Sequence, residues 1–467
     1  KILKFLNKKF IRFKDRNIPT LPGRGEPIKT PAQLITFLSI NRNAIFQFED
    51  ISRKIWDNTV KPSIDEFTAQ KARVHAVIGN KIVAYQFINK KKISYNEVSD
   101  AVEKANSLEN WEEQLSEMSN TVGEKSNIKN KVNPGRFNLG VRSLVKNAFA
   151  NGQIPEFHPC FDKEKIWNRI NKTSGSGWGN KGKKGLHKDI VFQIIDEVRS
   201  GTLEVSEHNL PSLIIPVIQP SKTKGFKRRL AFCPTLQFTV IELIFGIELL
   251  EFFEQNNYMD IRYGDKTTVT FELIKSLEHN FKIPIDFSSY DQTIPSFTII
   301  TSFLLHKALM VLTDFESKVF DHMVSYIVHS PVYHADIGFV ERHRGIISGS
   351  LYTNIVDSFC NSMILGMASD KLSGLDRTIV YGDDNILIGE HCFPDIVRIE
   401  SYLKHLNMKI TYLKSTFSNN FNIDFAGSHT KSGPERNYKR MIMGCVAVKH
   451  KMRFKNKHEL LKSRIFS

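Results

Sequence analysis

Four aspartates in two short stretches carry the clearest chemistry in this chain of 467 residues. In FKIPIDFSSYDQTIPSF (281–297), an alternating run reads as a strand that delivers Asp286, Asp291 follows five residues later, and a helix is expected to begin near Pro295. In RTIVYGDDNILIG (377–389), two apolar, β-branched runs flank Gly382-Asp383-Asp384-Asn385, which predicts a tight hairpin with both aspartates at its turn. Consecutive carboxylates at a turn are commonly just solvated. A second strand-end carboxylate in another element changes their meaning. Asp286 and Asp383 at neighbouring strand ends would repel each other unless a hard divalent cation lay between them, and all-oxygen ligation suits Mg²⁺ or Mn²⁺. Two such ions, ~3.5–4 Å apart, can lower the pKa of an attacking hydroxyl and neutralise a leaving pyrophosphate.

Other elements must position these groups. Between them lies RGIISGSLYTNIVDSFCNSMILG (344–366), where Ser348-Gly349-Ser350 reads as a flexible turn into a helix. On that helix Thr353 and Asp357 are four apart and share a face. Upstream, SLIIPVIQP (212–220) reads as a strand, followed by a basic run with Lys222, Lys224, Lys227, Arg228 and Arg229, and then by a long helix over 234–256. Residues 61–170 read as mostly helical. The glycine-rich TSGSGWGNKGKKGL (173–186) spells G-x-x-x-x-G-K-K and falls one residue short of a nucleotide-binding P-loop. Lys184 stands where a hydroxyl should reach Mg²⁺, and the preceding FDKEKIWNRINK lacks the buried strand that a P-loop follows.

Sixty-five Lys and Arg against 49 Asp and Glu leave a net charge of +16, which points to a polyanionic partner, nucleic acid before membrane. The five cysteines are odd in number, widely spaced and without C-x-x-C, which indicates a reducing compartment and neither a disulfide framework nor a zinc finger. The most apolar runs, 238–253 and 296–312, carry Glu242, Glu248 and Glu251, or His306 and Lys307, and so are expected to be amphipathic core helices rather than membrane spans. The basic start, KILKFLNKKFIRFKDRN, reads as a helix or arm packed on the body.

Taken in order, D-x4-D, S-G-x3-T-x3-D-S and Y-G-D-D resemble motifs A, B and C of the viral RNA-dependent RNA polymerases. DFSSYDQTIP and SGSLYTNIVDS are most similar to the partitivirus polymerases, with the picobirnaviruses as close cousins, and both groups have double-stranded RNA genomes. The resemblance runs from about 173 to 427.

It implies an α+β right-hand fold with an antiparallel-sheet palm and mostly helical fingers and thumb. The divisions would be an N-terminal extension linking fingers and thumb (1–60), fingers (61–232 and 301–342), palm (233–300 and 343–428) and an incomplete thumb (429–467). Asp286, Asp383 and Asp384, with the backbone carbonyl of Phe287, would hold two Mg²⁺ or Mn²⁺ ions. Asp291 would sense the ribose 2′-hydroxyl, a role against reverse transcription, and Ser348, Gly349, Thr353 and Asp357 would help hold the nucleotide. Asp357 stands where many relatives have Asn, so the donor to the sugar is a protonated Asp357, Asn354 or a hydroxyl, with Thr353 and Ser348 expected to do the work. Lys222, Lys224, Lys227 and Arg229 resemble motif F and would face the triphosphate. Lys414, with Lys409 as its rival, matches the motif D general acid, and FAGS (425–428) resembles the motif E hairpin. Thr173, Ser174 and Gly175 resemble motif G, with Lys181, Lys183 and Lys184 attracting the template strand. Implied partners are template and product RNA, NTPs and a viral capsid protein, with no membrane span, in the virion interior and host cytoplasm. The competing reading is a non-catalytic RNA-binding capsid or scaffold protein, which the charge alone would support.

Overall fold

The computed structural model describes residues 19–57, 111–125, 132–180, 182–204, 210–221, 225–256, 259–264, 281–334, 336–369, 374–390, 392 and 394–411, with five short strand segments outside them. Helices come first: α1 (Pro31–Ile40), α2 (Arg42–Asp57), α3 (Trp111–Val122), α4 (Pro134–Ala148), α5 (Lys163–Arg169) and α6 (Lys188–Ser200). Their ends follow local chemistry. Thr30 and Gln33 form a capping box on α1, Asn133 caps α4 ahead of Pro134, and Gly201 closes α6 in the left-handed conformation. A hairpin of β1 (Ser212–Ser221) and β2 (Gly225–Cys233) leads into α7 (Leu236–Gln255), capped by Thr235. Then come β3 (Phe281–Ile285), α8 (Tyr290–Thr293), α9 (Ser296–Leu309), α10 (Asp314–His329), β4 (Val332–His334) and β5 (Gly338–Val340). The series continues with α11 (Thr353–Ala368), β6 (Arg377–Tyr381), β7 (Asp384–Gly389) and α12 (Ile396–His405).

Strands β3, β7 and β6 make an antiparallel sheet in that order. Its β6 edge is extended by a bridge between Ile261 and Val380, locked by a bidentate Arg377–Asp260 pair at 2.6 and 2.7 Å. A second sheet, β2-β1-β4-β5, carries the basic hairpin. Helix α11 packs on α4 through two glycines; a Cβ on Gly140 would sit 2.5 Å from Met367, and one on Gly366 would collide with Ser143.

The two apolar runs are core helices. Every residue of α9 is buried, so that helix has no polar face, whereas most of α7, including Glu242, is buried and Glu248, Glu251 and Glu254 form a half-exposed acidic edge on it. Among the described residues no helix is long and apolar enough to cross a membrane.

Between α9 and α10 lies a buried ion pair, Lys307 Nζ–Asp321 Oδ1 at 2.6 Å. It is completed by the chain near its start: Lys307 donates to Leu21 O at 2.8 Å, and Leu21 N donates to Asp321 Oδ2 at 3.1 Å. The N-terminal segment is thus anchored to the core at Leu21. Residues 1–18, with the expected basic arm, lie outside the described ones. Lys307→Met strands a buried carboxylate and should cost about 3–5 kcal/mol in urea unfolding, whereas Lys307→Met with Asp321→Leu should recover part of that loss.

Candidate active site

Strand β3 ends at Ile285, paired with Asn385, so Asp286 leaves the sheet beside Asp384. Tyr381 pairs with Asp384, and Gly382-Asp383 form the two-residue turn, with Gly382 at φ 59° as its first central position requires. The expectation that both aspartates sit at the turn is corrected here. Asp383 is on the exposed turn, while Asp384 already belongs to the ladder of β7.

Beyond Asp286 the backbone pairs with the 409–411 segment: Thr411 N donates to Asp286 O at 2.7 Å and Ser288 N to Lys409 O at 2.9 Å. These are the bonds flanking a Phe287–Ile410 bridge, so the carbonyl of Phe287 turns away from that segment. Ser289 then adopts φ 51°, a left-handed conformation uncommon for a side-chain-bearing residue, and reverses the chain into α8. Asp291 lies in the first turn of α8. That helix is strapped from below: Ile346 N donates to Asp291 O at 2.8 Å, Gly345 N to Ile294 O at 2.9 Å, and the buried Arg344 guanidinium to Thr293 O.

Helix α11 holds the hairpin. Gly382 N donates to Ser358 Oγ at 2.7 Å, and Asn361 Nδ2 donates to the carbonyls of Gly382 and Asp383 at 3.1 and 3.3 Å. A Cβ on Gly382 would lie 3.1 Å from Asn354 Nδ2, so only glycine lets the turn sit this close. Sequence reasoning missed Ser358, Asn361 and Arg344. The signal for the first two was there: Asn354, Ser358 and Asn361 form a polar i, i+4, i+7 stripe along the helix.

Asp357 is buried on α11, and its carboxyl is held well above the ordinary range, first by desolvation and then by Asp291 and Asp383. Burial and like charge favour its protonated form, which carries an O–H donor. Thr353 spends its hydroxyl proton on Ile347 O and Ser350 O at 2.7 and 2.9 Å, and Ser348 Oγ accepts from Phe232 N at 3.0 Å. Of the expected donors, Thr353 is therefore engaged locally. Asp291 is raised to about 6 by burial and then by Asp383, with Arg229 pulling the other way. Arg229 is exposed on β2, and the backbone of Lys227 pairs with Gln219. Lys222, Lys224 and Lys414 lie outside the described residues, and Lys409 is exposed. Carboxylates from three elements thus crowd one recess, with Asp286 at the adjoining strand end. That donor set fits a hard divalent cation.

Residues 219–450 match the family model described as viral RNA-dependent RNA polymerase. Through that segment the chain belongs to the viral RNA-dependent RNA polymerase family. It is also similar to an RNA-directed RNA polymerase of Cryptosporidium parvum virus 1 (strain KSU-1), 28% identical over 148 residues. That match spans 30% of this chain and 28% of the relative's length.

In this polymerase-family chain the glycine-rich loop upstream is a folded hairpin. Ser176 N donates to Gly182 O and Lys184 N to Ser174 O, at 3.1 and 3.0 Å, and Gly175 bridges to Lys183. It follows helix α5 rather than a strand and ends in a 3-10 turn, Lys184–Leu186, so it has no P-loop context. Thr173 and Ser174 are tied down on Asn171. Lys183 is exposed, and Lys181 lies outside the described residues. The expectation that Lys184 faces a template strand is corrected. It is 7% exposed, its Nζ donates to Thr239 Oγ1 at 2.9 Å, and burial lowers its pKa. A partner on α7, invisible to local sequence, draws it inward. Downstream, Asp424–Phe425 and Ser428–His429 pair as the hairpin expected at the FAGS motif.

Two outcomes follow from this geometry. A carboxyl raised to about 6 from its ordinary 3.8 favours the folded state while protonated, and that contribution is lost as pH rises from about 4 through 6. In EDTA, Asp291→Asn should therefore melt above the native protein at pH 7 by the equivalent of at most about 3 kcal/mol, with the gap closing towards pH 4. Filter binding should show weaker single-stranded RNA affinity for Lys183→Ala, while Lys184→Met should keep RNA affinity within about twofold and lose about 1 kcal/mol of stability with its hydrogen bond.

Proposed function

We propose that this chain is the RNA-dependent RNA polymerase of a double-stranded RNA virus, of the partitivirus-like type, serving both replication and transcription. The observation that carries this reading is the register that sets Asp286, at the end of β3, beside the Gly382-Asp383-Asp384 hairpin, with Asp291 one reversed turn away. Asp286, Asp383 and Asp384, with the Phe287 carbonyl, would hold two Mg²⁺ or Mn²⁺ ions, which supply charge neutralisation at the triphosphate and acidify a 3′-hydroxyl. Asp291 accepts the hydrogen bond that only a ribonucleotide offers, and a protonated Asp357 donates towards the same sugar or to Asp291. Ser348, Gly349 and Thr353 shape the wall beneath it. Arg229, with Lys222, Lys224 and Lys227 nearby in sequence, pairs with triphosphate oxygens, and Lys414 protonates the departing pyrophosphate.

In this reading the sheet β3-β7-β6 with α11 and α7 is the palm of a right hand, with fingers at 61–232 and 301–342, palm at 233–300 and 343–428, and a thumb from 429. The 1–60 segment, anchored at Leu21, links fingers and thumb. Template enters along the hairpin at 173–184. The partners are RNA, NTPs and a capsid protein, and the work is done inside the virion and in the host cytoplasm.

A scaffold that only binds RNA has no use for crowded carboxylates held by dedicated hydrogen bonds, and Asp291 is the wrong residue for a reverse transcriptase. Purified protein with single-stranded RNA, four NTPs and Mg²⁺ should incorporate NMPs in a template-dependent way. Asp383→Asn should reduce that by about a thousandfold, the scale of several kcal/mol of lost transition-state stabilisation, with RNA binding retained. Incorporation that survives Asp383→Asn would falsify the mechanism.

A further inference from the structure

One buried ionisable group plays no part in the chemistry above. Glu242 is 0% exposed, in the middle of α7. Burial pushes its carboxyl up to about 7, against the pull of its two hydrogen-bond donors and of Lys184. An apolar side chain would be cheaper in a helix this buried.

Its hydrogen bonds show what it does. Both leave the helix and end on the loop before α11: Ser350 Oγ donates to Glu242 Oε1, and Leu351 N donates to Oε2 at 3.0 Å. Ser350 is the pivot of that loop. Its Oγ accepts from Tyr352 N at 3.1 Å, and its carbonyl accepts from Thr353 N at 3.3 Å and Thr353 Oγ1 at 2.9 Å. One turn further along α7, Gly246 leaves room for the Tyr352 ring, which a Cβ would meet at 3.0 Å. The other end of the loop rests on β2: Phe232 N donates to Ser348 Oγ, and any Cβ on Gly349 would collide with Phe232 O. Residues 348 and 349 are thus held by the end of β2, and residues 350 and 351 by Glu242.

The same stretch also receives the glycine-rich hairpin. Leu236 N donates to Ser176 O at 2.9 Å, a Cβ on Gly177 would collide with Pro234 O, and Lys184 reaches Thr239, three residues before Glu242. Residues 232–242 are a shared mount for both loops.

We propose that Glu242 is the positioning residue of the Ser348–Thr353 loop, fixing from the core the surface on which the incoming nucleotide's sugar is read. This rests on the polymerase reading, so wild-type NMP incorporation is measured first; its absence would count against that reading and not against Glu242. Steady-state kinetics then compare Glu242→Leu, Glu242→Gln, Ser350→Ala and the double variant Glu242→Leu/Ser350→Ala. Glu242→Leu should raise the NTP KM about tenfold and narrow ribo- over deoxyribonucleotide preference, with kcat changed less and RNA affinity within about twofold, the scale of one lost buried hydrogen-bond acceptor.

Glu242→Gln keeps an acceptor for Leu351 N and a donor for Ser350 Oγ, and should restore KM to within about threefold of wild type. Ser350→Ala should reproduce the KM effect, and the double variant should be no worse than either single one. If Glu242→Leu does not fold, Ser350→Ala against Glu242→Gln decides the matter alone. An NTP KM and sugar preference unchanged in folded Glu242→Leu or in Ser350→Ala, or additive effects in the double variant, would overturn the proposal.

Discussion

Like charge held in a partly desolvated recess is the constraint around which this structure is arranged. Burial first, and then Asp383, raises Asp291 to about 6, while burial with Asp291 and Asp383 holds Asp357 well above the carboxylate range. Such a cluster disperses unless its backbone is held by bonds that do not involve the carboxylates. The structure supplies them from below. Ser358 and Asn361 grip the hairpin backbone, Arg344 and the 345–346 segment grip α8, and the 409–411 segment pairs with the backbone of Asp286 and Ser288. The side chains that face the recess are left to chemistry.

The helices beneath pack tightly enough to make those grips rigid. Glycines at 140 and 366 let α4 and α11 meet closely, and α9 is buried along its whole length. Charged groups inside this core are paired across elements, as in Lys307–Asp321 with Leu21, Arg377–Asp260, and Glu242 with the 350–351 backbone and hydroxyl. Each ties a loop or terminus to a helix or strand of the core. Buried pairs of this kind contribute little net stability compared with apolar packing, but they specify one arrangement.

The basic surplus and the acidic recess are complementary parts of one electrostatic design. A chain at +16 attracts a polyanion over long range, while an acidic recess repels one unless cations neutralise it. Arg229 is the point where the two meet, exposed on β2 and within electrostatic reach of Asp291.

The sequence by itself determined the elements and the order of the reactive residues. Alternating apolar runs made β3, β6 and β7 readable, Gly382-Asp383 marked the turn, and the D-x4-D, S-G-x3-T and Y-G-D-D spacings marked the family, because period and turn chemistry are local properties. Which polar residues were support and which were surface was decided only by tertiary structure. Lys184 looked like a solvated cation among lysines but is drawn onto Thr239. Glu242 looked like a charge on the polar side of α7 but lies in its fully buried middle. Thr353 has its hydroxyl proton committed to backbone carbonyls, and burial holds the carboxyl of Asp357, on the same helix, well above the ordinary range. Burial and pairing depend on what another part of the chain brings into contact, and no local pattern encodes that.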